Sequence, residues 1–99
     1  MQIKDTLYVG GEWVAPAGTS TIEVISPTTE QVIARVAEAR EPDMDRAVAA
    51  ARRAFDEGPW PRIDPAERVE IVRQLAKVYG ERRSEMADVI TAELGAPTS

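Results

Sequence analysis

The chain contains no cysteine and no histidine. Asparagine is missing as well. These absences remove whole classes of chemistry. Without cysteine there is no disulfide framework, no thiolate metal ligand and no thiol nucleophile. Without histidine no Ser-His-Asp arrangement can be assembled. A zinc site would have to be built from carboxylates alone, which is not how zinc is normally held. Lysine is scarce too, with only Lys4 and Lys77, and aromatic residues make up 5% of the chain. The formal net charge is −5. Nucleic acids and anionic membranes reward an excess of Lys and Arg, so this balance argues against both as partners. No apolar run approaches the roughly 20 residues of a membrane span. Met1-Gln2-Ile3-Lys4-Asp5 carries no signal-peptide core. Zero cysteine is compatible with a cytoplasmic protein, and a cytoplasmic location is the expectation.

What is present is an ordinary globular composition, 43% apolar and 29% charged, in 99 residues. That length makes at most one small domain with a modest core. The first third reads as strands, over about 7–36. Leu7-Tyr8-Val9 and Glu12-Trp13-Val14 flank Gly10-Gly11, a pair suited to a two-residue hairpin turn. Thr21–Ile25 alternates, with Ile22 and Val24 on one face. Gln31–Val36 alternates with Val32, Ala34 and Val36 on one face. These two runs are expected to pair antiparallel.

The remainder reads as three helices, about 42–57, 65–80 and 84–94. Pro42 suits a first helical turn, and Asp43 and Asp45 sit near the positive end of that helix. Met44, Val48, Ala51 and Phe55 form its apolar stripe, and Gly58-Pro59-Trp60-Pro61 stops it. Asp64-Pro65-Ala66-Glu67 has the pattern of an N-cap with a capping box. The middle helix carries Val69, Ile71, Val72, Leu75, Ala76, Val78 and Tyr79 around much of its girth, with Gly80 near its end. Ser84 offers a cap for the third helix, and Gly95 and Pro97 end it. The fold class is therefore α+β, strands first and helices after.

No motif announces a reaction. Gly10-Gly11 is not followed by a helix N-terminus, so it reads as a turn and not as a phosphate cradle. Glu12 and Glu23 fall on strands. Asp43, Asp45, Glu67 and Glu70 fall on exposed helix faces or near helix starts, where carboxylates cap or stay solvated. Ser20, Ser26, Ser84 and Ser99 read as turn, loop or capping residues. Trp13 and Trp60 are expected in a core or an interface, because no basic stripe accompanies them as it would at a stacking platform for bases.

Taken in order, several stretches resemble the N-terminal segment of the aldehyde dehydrogenase superfamily. They are Tyr8-Val9-Gly10-Gly11-Glu12-Trp13-Val14, Ile25-Ser26-Pro27-Thr28-Thr29, Asp45 to Phe55, Trp60, Pro65-Ala66-Glu67-Arg68 and Glu93-Leu94-Gly95-Ala96-Pro97. The resemblance runs from about Tyr8 to Pro97. The family usually has Asn where Ser26 stands, often Gly-Glu where Glu30-Gln31 stand, and a charged residue where Gly80 stands. It implies a place in the family's α/β dinucleotide-binding domain. It also implies a parent enzyme that oxidises an aldehyde to a carboxylic acid with NAD or NADP. In that chemistry a thiolate attacks the aldehyde, a hydride passes to the nicotinamide, and water, activated by a Glu, hydrolyses the thioester. An Asn helps to hold the oxyanion. None of these residues has a match here, so the expected catalytic, cofactor-binding and metal residues of this chain are none. Some family members hold a monovalent cation with backbone carbonyls and an acid at positions matching Val24, Ile25 and Glu93.

Residues 1–99 are thus expected to be the N-terminal portion of such an enzyme, lacking its catalytic domain and silent alone. The expected partners are the rest of an aldehyde dehydrogenase chain or further copies of itself, as a homo-oligomer. The other reading is a stand-alone interaction domain, a decoy that docks on full-length subunits.

Overall fold

The computed structural model describes residues 1–97. Five short strands come first: β1 (Gln2–Lys4), β2 (Leu7–Val9), β3 (Glu12–Val14), β4 (Thr21–Ile25) and β5 (Val32–Ala37). Helices α1 (Glu41–Glu57), α2 (Pro65–Glu81) and α3 (Arg83–Leu94) follow, with a 3₁₀ turn at Trp60–Arg62 between the first two.

The hairpin β2–β3 pairs Leu7 with Val14, Tyr8 with Trp13 and Val9 with Glu12. Its turn needs positive φ at both central residues, and Gly10 and Gly11 supply 63° and 83°. β4 and β5 pair antiparallel, with a register shift between Val24 and Ile25. The turn between them is tied by Ser26, whose Oγ accepts the N–H of Thr28 and of Thr29, each at 3.2 Å. The Ser26 N–H donates to Gln31 O at 2.9 Å. Ser26 therefore performs locally what a side-chain amide oxygen would also perform, and is buried in doing so.

One strand was not legible in the sequence. β1 lies parallel to β5, Ile3 opposite Arg35, so the larger sheet has the order β1-β5-β4 and is mixed, with one parallel pair added to the expected antiparallel one. Gln2-Ile3-Lys4 is too short and too exposed to carry an alternating pattern.

The helices depart from expectation mainly at their caps. The expected capping box at Asp64 and Glu67 does not form, because Asp64 makes no side-chain cap bond. α3 begins at Arg83 with Arg82 at the cap position, so Ser84 lies inside the helix. α1 ends at Gly58, and the Arg62 guanidinium donates to the carbonyls of Asp56 and Gly58, occupying acceptors that the helix end leaves open. Gly95, at φ 73°, closes α3 in the left-handed conformation.

The elements spread instead of stacking. The molecule measures 48 × 37 × 15 Å. Its radius of gyration is 17.3 Å, against about 13 Å for a compact domain of this length. No apolar side chain among the described residues is buried. The stripe of Met44, Val48 and Phe55 faces solvent, and Ala47 and Ala50 are the half-buried positions of α1. Val69, Ile71, Val72, Leu75, Val78 and Tyr79 of α2 are all exposed, so that helix has contacts on few sides instead of several. Trp60 is 46% exposed and Trp13 70% exposed, so neither sits in a core within this chain.

Candidate functional site

Among the described residues the one fully buried charge is Asp43, 1% exposed, in the first turn of α1. Its carboxylate accepts the Arg40 N–H at 2.9 Å on Oδ2. The Ala17 N–H lies across both oxygens, at 3.0 and 3.1 Å. The Arg46 guanidinium, one turn along the helix, donates to Oδ1. The same Arg46 nitrogen donates to the Ala15 carbonyl at 3.1 Å. The sequence placed Asp43 near a helix start but could not show that it is enclosed. The signal available was its distance of three residues from the cap position.

The Arg40 N–H above all, then the Ala17 N–H and Arg46, hold the Asp43 carboxyl below its ordinary value, and they outweigh the desolvation that opposes them. The carboxylate is therefore ionised at neutral pH. This also fills the place where a helix N-terminus would bind an anion from outside. Nor does Gly10-Gly11 offer such a place, since it joins two antiparallel strands and precedes no helix. The chain thus has no phosphate cradle at either feature.

Concavities among the described residues include the following. A groove of about 550 Å³ runs between the β2–β3 hairpin and α1, with Tyr8, Gly10, Ala50, Ala54, Arg53 and Glu57 among its walls. A cleft of about 210 Å³ lies between α2 and α3, bounded by Leu75, Tyr79, Met86 and the Arg82–Glu85 pair. In that pair the Arg82 guanidinium donates to both Glu85 oxygens at 2.9 and 2.7 Å. The hydrogen bond and the charge of Arg82 lower the Glu85 pKa, and Glu85 raises that of Arg82. Both groups are open to water, so the pair fixes geometry more than it stabilises. A third cleft, of about 150 Å³, includes Val24 and Glu93 in its lining, with Gln2, Ala34 and Val89. The fold therefore brings together two of the three positions matched to a cation site, while Ile25 is outside that lining.

None of these places assembles a nucleophile with a base. The Ser20 hydroxyl accepts from Arg40 at 2.8 Å and the Ser26 hydroxyl is held by two backbone amides. Ser99 lies outside the described residues. No group of three or more carboxylates among the described residues is disposed to hold a metal ion. No helix among them is long and apolar enough to cross a membrane.

A model of the aldehyde dehydrogenase family matches residues 13–99. Aldehyde dehydrogenase 1 of Tanacetum cinerariifolium is 45% identical over 91 residues, 92% of this chain and 18% of that protein. The 3-succinoylsemialdehyde-pyridine dehydrogenase of a Pseudomonas species is 40% identical over 90 residues, 91% of this chain and 18% of its own length. The fold matches the crystal structure of a Mycobacterium tuberculosis aldehyde dehydrogenase complexed with NAD+, at TM-score 0.93 and 39% identity, over 98% of this chain and 20% of that one. The Bartonella henselae aldehyde dehydrogenase matches at TM-score 0.92 and 35% identity, over 99% and 20% respectively. The chain spans about a fifth of the length of these relatives.

Proposed function

The chain belongs to the aldehyde dehydrogenase family, and on that footing we propose that it is the N-terminal segment of an NAD(P)-dependent aldehyde dehydrogenase, a packing layer of the enzyme with no catalytic residue of its own. The observation that carries this reading is the unclosed fold. Among the described residues, twenty large apolar residues are exposed and no apolar residue is buried. The accessible surface is 8062 Å², against roughly 5,500 Å² for a compact monomer of this mass. The excess of roughly 2,500 Å² has the size of a permanent interface. A face of this kind is what a layer presents to the rest of its own subunit, or to other copies in an oligomer.

Neither of the two features that could cradle the pyrophosphate of a nicotinamide nucleotide is free to do so. The helix N-terminus at Arg40–Asp43 is filled by Asp43, and the Gly-Gly turn serves a hairpin. Cofactor contacts, the thiol nucleophile and the choice between NAD and NADP then belong to polypeptide outside these residues. The work of this segment is to position: its strands and helices supply one wall against which a nucleotide-binding sheet is held.

Sequencing past the codon for Ser99 tests the reading. A frame that continues into a cysteine-bearing catalytic region supports it. A stop codon there, with a 99-residue protein that co-purifies with intact aldehyde dehydrogenase subunits, overturns it in favour of a docking decoy.

A further inference from the structure

The hairpin β2–β3 forms a two-stranded sheet of its own, separate from β1-β5-β4. Among the described residues, the hydrogen bonds that leave the segment Asp5–Thr19 for the rest of the chain number three contacts on two side chains. They are the Ala17 N–H to both oxygens of Asp43, and Arg46 to the Ala15 carbonyl. Asp43 and Arg46 are bonded to each other, so the fastening is a single unit. Asp43 is also held from the other side by the Arg40 N–H, which fixes it to the first turn of α1.

We propose that the Asp43–Arg46 pair is a latch that holds the β2–β3 hairpin against α1, and that opening it releases the hairpin as one body hinged at Asp5–Thr6 and Thr19. The apolar part of the contact is thin. The nearest approach to Gly10 is the Ala50 Cβ, 3.6 Å from where a Cβ on Gly10 would stand. The remainder of that face is the open groove between the two elements. A hairpin of three-residue strands does not hold its place unaided. The buried carboxylate and its arginine therefore set both the position of the hairpin and the width of the groove. This rests on hydrogen bonds within the chain and not on the family assignment.

These 99 residues contain no cysteine, so a bridge between two cysteines introduced here is identified by peptide mapping, apart from any cysteine elsewhere in the reading frame. Gly10→Cys and Ala50→Cys together place two Cβ atoms 3.6 Å apart, inside the range that a disulfide spans, and the strain of a cysteine at φ 63° is the same in every arm of the comparison. The pair is introduced into the gene's own full reading frame, with and without Asp43→Asn, and with and without Arg46→Gln. Oxidised glutathione serves as the oxidant. Bridge formation is followed by mass spectrometry, and hydrogen exchange is measured over 7–18 and over 21–37. With the latch intact the bridge forms readily. Asn in place of Asp43, or Gln in place of Arg46, is expected to slow bridging and to raise exchange in 7–18 by about tenfold, with 21–37 unchanged. Once formed, the bridge restores protection to 7–18 in either variant. Unchanged bridging and exchange in both variants would overturn the latch. So would an equal loss of protection across 21–37, which would make the pair a general support of the fold. Should Asp43→Asn fail to yield folded protein, the Arg46→Gln arm decides alone, since the backbone bonds to Asp43 survive in it.

Discussion

Two glycines on neighbouring helices should respond to alanine with opposite signs. Gly95 closes α3 at φ 73°, where an L-residue costs roughly 1–2 kcal/mol. A Cβ there would also stand 3.3 Å from Cγ of Pro27, in the turn that Ser26 ties down, and 3.5 Å from the Thr28 hydroxyl. That turn can yield only a few tenths of an ångström, so Gly95→Ala should destabilise by about 2 kcal/mol. Gly80 lies in the last turn of α2, and a Cβ on it would meet nothing within 4 Å. There alanine relieves the entropy that glycine loses in a helix, a gain of up to about 1 kcal/mol. The two variants should then differ by about 3 kcal/mol, roughly a hundredfold in folding equilibrium. Urea titration of the protein made from its full reading frame, followed by tryptophan fluorescence, measures both. Losses of equal size at the two sites would refute the reasoning. A loss at Gly80 alone would show that other polypeptide presses on that end of α2.

Further outcomes follow from the same geometry. The purified 99-residue chain should give no aldehyde-dependent reduction of NAD+ or NADP+, since it offers no thiol for the covalent step; a spectrophotometric assay of reduced nicotinamide checks this, and any rate above the protein-free blank contradicts it. Acrylamide should quench Trp60 readily in the isolated chain, because the ring is half exposed there; a Trp60 protected from the quencher would mean that the ring is enclosed. The folded pKa of Asp43 lies below its ordinary 3.8, so its ionised form supports the fold at every pH above that value, and the support is lost as pH falls through the lowered folded pKa. Acid below about pH 4 should therefore loosen 7–18, as read by hydrogen exchange, and Asp43→Asn should remove part of that response. Loosening of the same size in that variant would assign the acid response to other carboxylates.

The elements that could be read from the sequence share a local cause. Gly10-Gly11 dictates a hairpin turn whatever surrounds it, and Leu7–Val9 and Glu12–Val14 pair as expected. Gly95 and Gly58 end their helices for equally local reasons. What the sequence did not disclose depends on distant partners. β1 is a strand only because β5 lies beside it. Asp43 is buried only because the Pro16–Gly18 loop folds over it, which spacing within α1 cannot reveal. The stripe Met44, Val48 and Phe55 was legible as apolar, yet it faces solvent, since periodicity marks a face to be covered without naming what covers it. The same holds for α2 and for Trp60. For the candidate site, Val24 and Glu93 line one cleft, which the sequence could not show, and the Asp43–Arg46 fastening was not foreseen.

As the proposed layer of a larger packed structure, the chain should have no closed core of its own. Differential scanning calorimetry of the isolated 99-residue chain tests it most directly. A cooperative domain of this length absorbs about 70 kcal/mol in a single transition near 60 °C. A plate 15 Å thick with no buried apolar side chain among its described residues should show no peak approaching that enthalpy, and should bind a hydrophobic dye over the whole temperature range. A sharp transition of about 70 kcal/mol from a monomer that binds no dye would contradict the account.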